Sequence, residues 1–371
     1  MAQTYSPHLD AIGFDELLTH PQYGYLTGGG QTIAVLDTGI DPNHLMFSDG
    51  RIVTGINFAS GVSPLAPPTY ADGNRHGTFV SSVASSVQVF ATVSGGPLIL
   101  DNQTFSDGTS IMLGGVSTGA NLAAVRVLDN DGNGNFDDIL AGLQWVRDNY
   151  AFYNITVVNM SLGTNDTFIE GGTLVKNDAL VGMMSATIDQ LNALGVAVVA
   201  ASGNSGDPDG ISFPAILDNV ISVGASEYDN DGLAEILAPF TNRNNRLDVL
   251  APGRDVLGAF ARDVVGDPTN ELAIGSGTSF ATPAVAGAIT LINEYAIDRW
   301  GQAPNNMELM YLLQQSDTFI FDDVSGLSFP RLDLINMLDI VDSGSYIGIP
   351  EPMSLSFVLL LGTMVCSRRR A

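Results

Sequence analysis

The chain has 371 residues, with 40 Asp and Glu against 14 Lys and Arg, a formal net charge of −26. Hydrophobic residues make up 45% of it, ample for a core, which argues against wholesale disorder. One Cys and four His speak against a disulfide scaffold, a Cys-based zinc site and a His-rich metal protein. The acidic balance opposes binding to a phosphate backbone. It suits a soluble protein working outside the cell, where repulsion between molecules limits aggregation.

Residues 1–30 are polar and turn-rich and read as an N-terminal extension. They lack a basic segment followed by an apolar one, so no secretory signal is visible. Short apolar runs rich in Val, Ile and Ala then recur at 32–36, 122–128, 155–160, 196–201 and 220–224. Continuous apolar runs of this kind predict strands buried on both faces of a parallel sheet. Helix-like stretches lie between them at 78–87, 138–149 and 186–194, and a long apolar helix is predicted over about 278–295. The alternation predicts an α/β fold with a doubly wound, mostly parallel sheet flanked by helices. Segments 88–114 and 165–180 read as insertions, and 341–349 as a linker.

Four segments carry candidate chemistry. In AVLDTGID, Asp37 follows a buried strand directly, where open parallel sheets place their functional groups. In GNRHGTFV, His76 precedes a helix-like run. In VVAASGNSG, Asn204 follows another strand in a Gly-rich turn, and its carboxamide could donate to a developing oxyanion. In GSGTSFATPAVAG, Ser279 sits where a Gly-rich turn enters a helix, near free N–H groups and the positive dipole end. Read singly, each has a plainer alternative: a turn or cap Asp, a structural His, a turn Asn and a helix N-cap Ser.

Together the four segments are far more specific. The order Asp37, His76, Ser279 is the order known for subtilisin. DTGID, HGT and GTSFATPAVAG resemble the three motifs of the subtilisin-like (subtilase) serine peptidase family, and the likeness runs over about 32–338. Phe280 stands where the family's motif usually has Met after the serine, and Phe79 where a second His is common. Both are apolar, which predicts a repacked wall beside intact chemistry. The resemblance implies a three-layer catalytic domain over 31–340. It implies a catalytic triad of Asp37, His76 and Ser279, with Asn204 in the oxyanion hole.

It further implies that Ser161, Leu162 and Gly163 pair with substrate and line one wall of the primary specificity pocket. Ala201, Ser202 and Gly203 would form the opposite wall, with Ser212 and Phe213 in the floor region. With no acidic residue at that floor, medium or large uncharged side chains before the scissile bond are expected. In the turn after VRVLD, Gly132, Asn133 and Gly134 are expected to pair with extended substrate, with Phe136 as a lid. The same stretch, with Asp129, Asp131, Asn133 and Asp137, also suggests a calcium loop. An EF-hand would need Glu where Leu140 stands.

The family's strong calcium site looks lost, since Met46 occupies the place of its Asp. Asp248, in LDVLAPG, resembles the carboxylate of a weaker calcium site, with a buried, hydrogen-bonded carboxylate as the alternative. No cofactor is required for the chemistry, so calcium would be structural. Residues 350–371 combine Pro-Glu-Pro, an apolar stretch and Arg368-Arg369-Arg370. They resemble a PEP-CTERM sorting signal, implying export in a Gram-negative bacterium to the cell envelope or beyond it. Transient membrane contact and an exosortase-type processing partner would follow. The expected protein is a monomeric endopeptidase acting on polypeptides. Its rivals are a non-catalytic binding module of the same fold and an esterase. The esterase elbow G-x-S-x-G is absent around Ser279.

Overall fold

The computed structural model describes residues 4–60, 69–169, 179–230, 232, 234–261 and 271–348. Near the start lie β1 (Thr4–Tyr5), α1 (Pro7–Asp10) and α2 (Phe14–Thr19), followed by β2 (Thr32–Asp37), β3 (Ile52–Asn57) and α3 (His76–Ala84). The insertion at 88–114 forms β4 (Val89–Thr92), β5 (Leu98–Leu100), β6 (Gln103–Phe105) and β7 (Ser110–Leu113). Then come β8 (Asn121–Arg126), α4 (Phe136–Tyr153), β9 (Ile155–Met160), β10 (Thr167–Phe168), α5 (Ala179–Ala193), β11 (Ala197–Ala201) and β12 (Ile211–Ser212). The remainder comprises β13 (Ile221–Tyr228), β14 (Glu235–Leu237), β15 (Val249–Pro252), β16 (Val256–Phe260), β17 (Glu271–Gly275), α6 (Thr278–Trp300), α7 (Asn306–Gln314), β18 (Phe319–Asp322), β19 (Leu327–Pro330) and α8 (Leu334–Ser343).

The central sheet runs β3-β8-β2-β9-β11-β13, with β15 parallel and β14 antiparallel to β13. All its other pairings are parallel. Strand β2 explains the continuous apolar runs. Ile33 and Val35 point into a core shared with α3 and α6, while Ala34 and Leu36 point into one shared with α4 and α5. A strand alternates its side chains between faces, so a strand covered on both faces must be apolar at every step. The three layers agree with the expectation from sequence.

Three of the longer helices outrun the sequence pattern: α5 starts at Ala179, seven residues before the predicted 186, and α4 and α6 are extended as well. Helix α4 starts earlier than the apolar pattern because Asn135 caps it, its side chain accepting from Asp138 N–H. Helix α6 extends to Trp300 and stops at Gly301, which adopts φ 79° as a left-handed C-cap. It is long and apolar enough to cross a membrane, but 83% of its most apolar window is buried inside the protein.

Two boundaries differ from the sequence reading. Residues 4–26 are no appendage: β1 pairs with β7, and Leu9, Ile12, Phe14, Leu17 and Tyr23 are buried in the α3–α6 core. Their apolar residues sit on two helices of four and six residues and the turns around them, too short for a periodic pattern to show. The expected linker begins inside α8, and Val341 and Tyr346 are buried. The two ends of the described chain clasp each other, for Tyr23 donates its hydroxyl to Asp339 at 2.7 Å.

The 88–114 insertion adds a sheet ordered β1-β7-β4 and the hairpin β5–β6. Asp101 and Asn102 turn that hairpin with φ of 44° and 58°, the geometry Asn and Asp tolerate best in a two-residue turn. The turn docks on the end of β13: Asp101 accepts from Tyr228 N–H at 2.9 Å, and Asn102 donates to the Tyr228 carbonyl at 2.9 Å.

Candidate active site

Asp37 is the last residue of β2 and His76 the first of α3. The sheet order places β2 centrally, so its carboxyl end opens onto the crevice that such folds use for ligands. The Asp37 carboxylate is fully buried. It accepts from Thr38 N–H at 2.7 Å and from His76 Nδ1 at 2.8 and 3.0 Å. That bond fixes the tautomer with the proton on Nδ1 and leaves Nε2 as an acceptor. Burial pulls the His76 pKa down, but the Asp37 charge, its hydrogen bond and the charge of Asp72 outweigh this, and the net shift is upward.

Helix α3 reaches this position by close backbone approach. A Cβ on Gly77 would lie 2.2 Å from the Gly39 carbonyl oxygen. No side chain could stand there without moving His76 off Asp37.

Ser279 is the second residue of α6. Its carbonyl accepts from Ser161 Oγ at 2.7 Å, and Ser161 accepts in turn from Asn159 Nδ2 at 3.0 Å. Asn204 follows β11 and is exposed. Its Oδ1 accepts from Thr278 N–H at 2.8 Å and Thr278 Oγ1 at 3.0 Å. The amide is thereby oriented, with its NH₂ on the opposite side. Among the described residues nothing accepts from the Ser279 N–H. Two donors therefore flank Ser279 at the start of a 23-residue helix, where the dipole favours negative charge.

Two cavities meet along residues 162–165. One, of about 430 Å³, is lined by Leu162, Gly163, Ala201, Gly203, Asn204, Ser212 and Ser279, among others, and no charged residue lines it. The other, of about 460 Å³, holds His76, Gly132, Asn133, Gly134, Ser161, Phe136 and Phe213. Phe136 and Phe213 pack at 5.3 Å between ring centroids. Phe213 thus faces the second cavity, whereas Ser212 alone of the expected floor pair lines the first. Ser202 lines neither: it is fully buried, its N–H bonded to the Val223 carbonyl and its carbonyl to Ser212 N–H.

Phe79 and Phe280 form the repacked wall. Their rings lie 4.4 Å apart, and Phe280 lies 5.6 Å from the His76 ring. Gly258 and Gly275 leave the room, because a Cβ on either would come within 2.7 Å of one of these rings.

Sequence reasoning missed Asp72, Thr38 and Thr78, which bond to one another beside His76. The signal available was an Asp four residues ahead of the His. Asp248 lies elsewhere, at the start of β15, where it accepts from Ser222 N–H at 2.9 Å and Ser222 Oγ at 2.8 Å, with Gln314 at 3.4 Å. Among the described residues no group of three or more His, Cys, Asp or Glu could hold a metal ion.

The model of the Subtilase family, peptidase family S8, matches residues 28–317. Subtilisin DY of Bacillus licheniformis is 32% identical over 268 residues, covering 71% of this chain and 77% of that one. Subtilisin BL of Lederbergia lenta is 34% identical over 273 residues, 72% of this chain and 78% of its own. Alkaline elastase YaB of Bacillus sp. (strain YaB) is 35% identical over 268 residues, 72% of this chain but 55% of its own length. The chain belongs to the subtilase family and is a subtilisin-like serine endopeptidase.

Proposed function

We propose that Asp37, His76 and Ser279 are the catalytic triad of this endopeptidase. The observation that carries the assignment is His76 Nδ1 seated on both oxygens of the buried Asp37, with Ser279 and Asn204 sharing the adjacent cavity. Asp37 holds the imidazole tautomer and stabilises the imidazolium. His76 takes the Ser279 hydroxyl proton as Oγ attacks the peptide carbonyl. The oxyanion accepts from Asn204 Nδ2 and Ser279 N–H. His76 then protonates the leaving amine, and water repeats the cycle to release the acyl group. Side chains, the Ser279 backbone N–H and water complete this chemistry.

Residues 132–134 and 161–163 are the segments proposed to pair with extended polypeptide, with Ala201 and Gly203 lining the primary pocket and Ser202 buried between them. The uncharged lining of the pocket at Ser279 supports a medium or large uncharged side chain before the scissile bond. Asp248 enters this reading as a structural carboxylate and not as a calcium ligand. The donors of Ser222 and Gln314 already point at it, which suits an anion and disfavours a cation.

The proposed location is outside the cytoplasm. The acidic charge supports it, as does the sorting-signal pattern of residues 350–371 with its exosortase-type processing and transient membrane contact. That segment lies outside the described residues. The test of the site is labelling with a fluorophosphonate probe. Wild type should label, while Ser279→Ala and His76→Ala should not. Retained peptide hydrolysis by Ser279→Ala would overturn the assignment.

A further inference from the structure

Helix α3 begins without a cap of its own. Arg75, in the cap position, makes no capping bond with its side chain and adopts φ 91°, a left-handed conformation costly for a residue with a Cβ. The first-turn N–H groups find partners elsewhere. His76 N–H donates to Asn74 Oδ1 at 3.3 Å, Gly77 N–H to Thr38 Oγ1 at 2.9 Å, and Thr78 N–H to Asp72 Oδ2 at 2.8 Å.

Asp72 is the hub of this arrangement. It is 6% exposed. Its Oδ1 accepts from Thr38 Oγ1 at 2.9 Å, Asn74 N–H at 2.9 Å and Arg75 N–H at 2.8 Å. Its Oδ2 accepts from Thr78 N–H at 2.8 Å and Thr78 Oγ1 at 2.7 Å. The Thr78 hydroxyl also accepts from Asp41 N–H at 2.9 Å. One carboxylate therefore ties three things together: the turn that follows Asp37, the strained residue before His76, and the first turn of the His76 helix.

We propose that Asp72 is a positioning residue for peptide hydrolysis, a second buried carboxylate that locks the His76 helix start onto the Asp37 turn. The proposal rests on His76 being the general base. Asp72 touches neither substrate nor reacting atoms. It acts through position, since small displacements of a catalytic base are costly, and through charge, since a fixed anion near the imidazole favours the imidazolium that forms during attack. The charged groups involved are few. Asp37 and Asp72 both hold the His76 pKa up, and the buried Arg126 feels the Asp72 charge while its Nη1 donates to the Ala71 carbonyl at 2.6 Å. The Phe280 ring lies 5.6 Å from the His76 ring, and His76 otherwise faces the cleft.

The test uses the full chain as wild type, Asp72→Asn and Thr38→Val, each normalised to sites titrated by the fluorophosphonate probe. An amide cannot accept at both of the places where Asp72 does. Asp72→Asn should lower kcat per titrated site by about tenfold or more on a peptide amide, with KM within about twofold. The acid limb of kcat/KM should move to lower pH, because one of the two anions holding the imidazolium is gone. Thr38→Val keeps the Asp72 charge but removes both the bond to Asp72 Oδ1 and the acceptor of Gly77 N–H, so kcat should fall with the acid limb unmoved. A role confined to stability would change melting temperature but neither kcat per titrated site nor the limb.

Folded Asp72→Asn with wild-type kcat and an unmoved limb would overturn the proposal. Should Asp72→Asn fail to fold, wild-type kcat in Thr38→Val would overturn it as well. Failure of the underlying triad reading looks different: wild type would not label, or Ser279→Ala would still turn over.

Discussion

Asp72, beside the cleft, and Asp101, in the turn of the inserted hairpin, are 6% and 2% exposed. Asp72 receives five hydrogen bonds from Thr38, Asn74, Arg75 and Thr78. Among the described residues, the Asp101 side chain receives one, from Tyr228 N–H, and it faces Glu227, Asp255 and Glu235. Burial raises the Asp101 pKa, the Tyr228 N–H opposes this, and the three neighbouring carboxylates push it further, to about 7. The same side chain, equally buried, is an anchor where donors converge and a burden where anions do. What decides between them is the supply of N–H and O–H groups, which the fold provides at one place and withholds at the other.

The largest way to break this comparison is at the cleft. Asp37→Asn should leave the fold intact and lower kcat by roughly 10⁴, because the amide no longer holds the reactive imidazole tautomer. Asn204→Ala should cost about 10²–10³ in kcat, the loss known for one oxyanion donor in subtilisin. Steady-state kinetics on a peptide amide measures both, and losses confined to KM would break the contrast.

A third buried carboxylate tests the donor argument away from the cleft. Asp322 pairs with Arg243 Nε at 2.9 Å, both side chains under 10% exposed, at 8% and 6%. Burial pushes its pKa up, but the bonds from Arg243 and Ser325 win and hold it at about 2. Its stabilisation is present above the ordinary 3.8 and is lost as pH falls through about 2. Arg243→Ala would strip this buried carboxylate of its charged partner and leave it the weaker donors of Val324 and Ser325. It should destabilise by about 3–5 kcal/mol, read from denaturant unfolding at neutral pH.

The converse change is smaller. Asp101 holds its proton longer folded than unfolded, so its ionisation penalty grows as pH rises from the ordinary 3.8 to about 7 and is complete above that. Asp101→Asn keeps an acceptor for Tyr228 and suits the positive φ. It should stabilise by roughly 1–2 kcal/mol at alkaline pH, solvent screening having reduced the full effect, and by little in acid. Equal stability of the two proteins at every pH would remove the burden assigned to Asp101. The smallest effect is on the pH profile. With His76 raised, the acid limb of wild-type kcat/KM should lie above the ordinary imidazole value of 6.5.

Much of this was legible in the residues. The run at 32–36 before Asp37 announced a strand buried on both faces, because Ile33 to Leu36 are apolar without interruption, the run is short and a turn follows it. Ser279 and Asn204 were legible through the Gly-rich turns that precede helix or follow strand. Asp72 was not. Its partners Thr38 and Thr78 lie on either side of it, and only folding turns a polar loop into a ring of donors. Residues 4–26 are hard to read from sequence for a related reason. Leu9, Phe14 and Leu17 belong to short helices, with Ile12 in the turn between them, that bury them against distant segments, and short helices leave too little periodicity to read. Ser202 looked like part of a wall because its neighbours are, yet alternation along the chain turns its side chain inward.

The clasp between Tyr23 and Asp339 has a consequence for how the molecule is made. It joins partners 316 positions apart in the chain, and contacts so distant in sequence form slowly. The segment holding Tyr23 is synthesised long before α8, which must follow before the clasp can close. During synthesis at about 5–20 residues per second, Leu9, Phe14 and Tyr23 would stay without their final cover for tens of seconds, the interval in which a nascent chain is most open to aggregation and proteolysis.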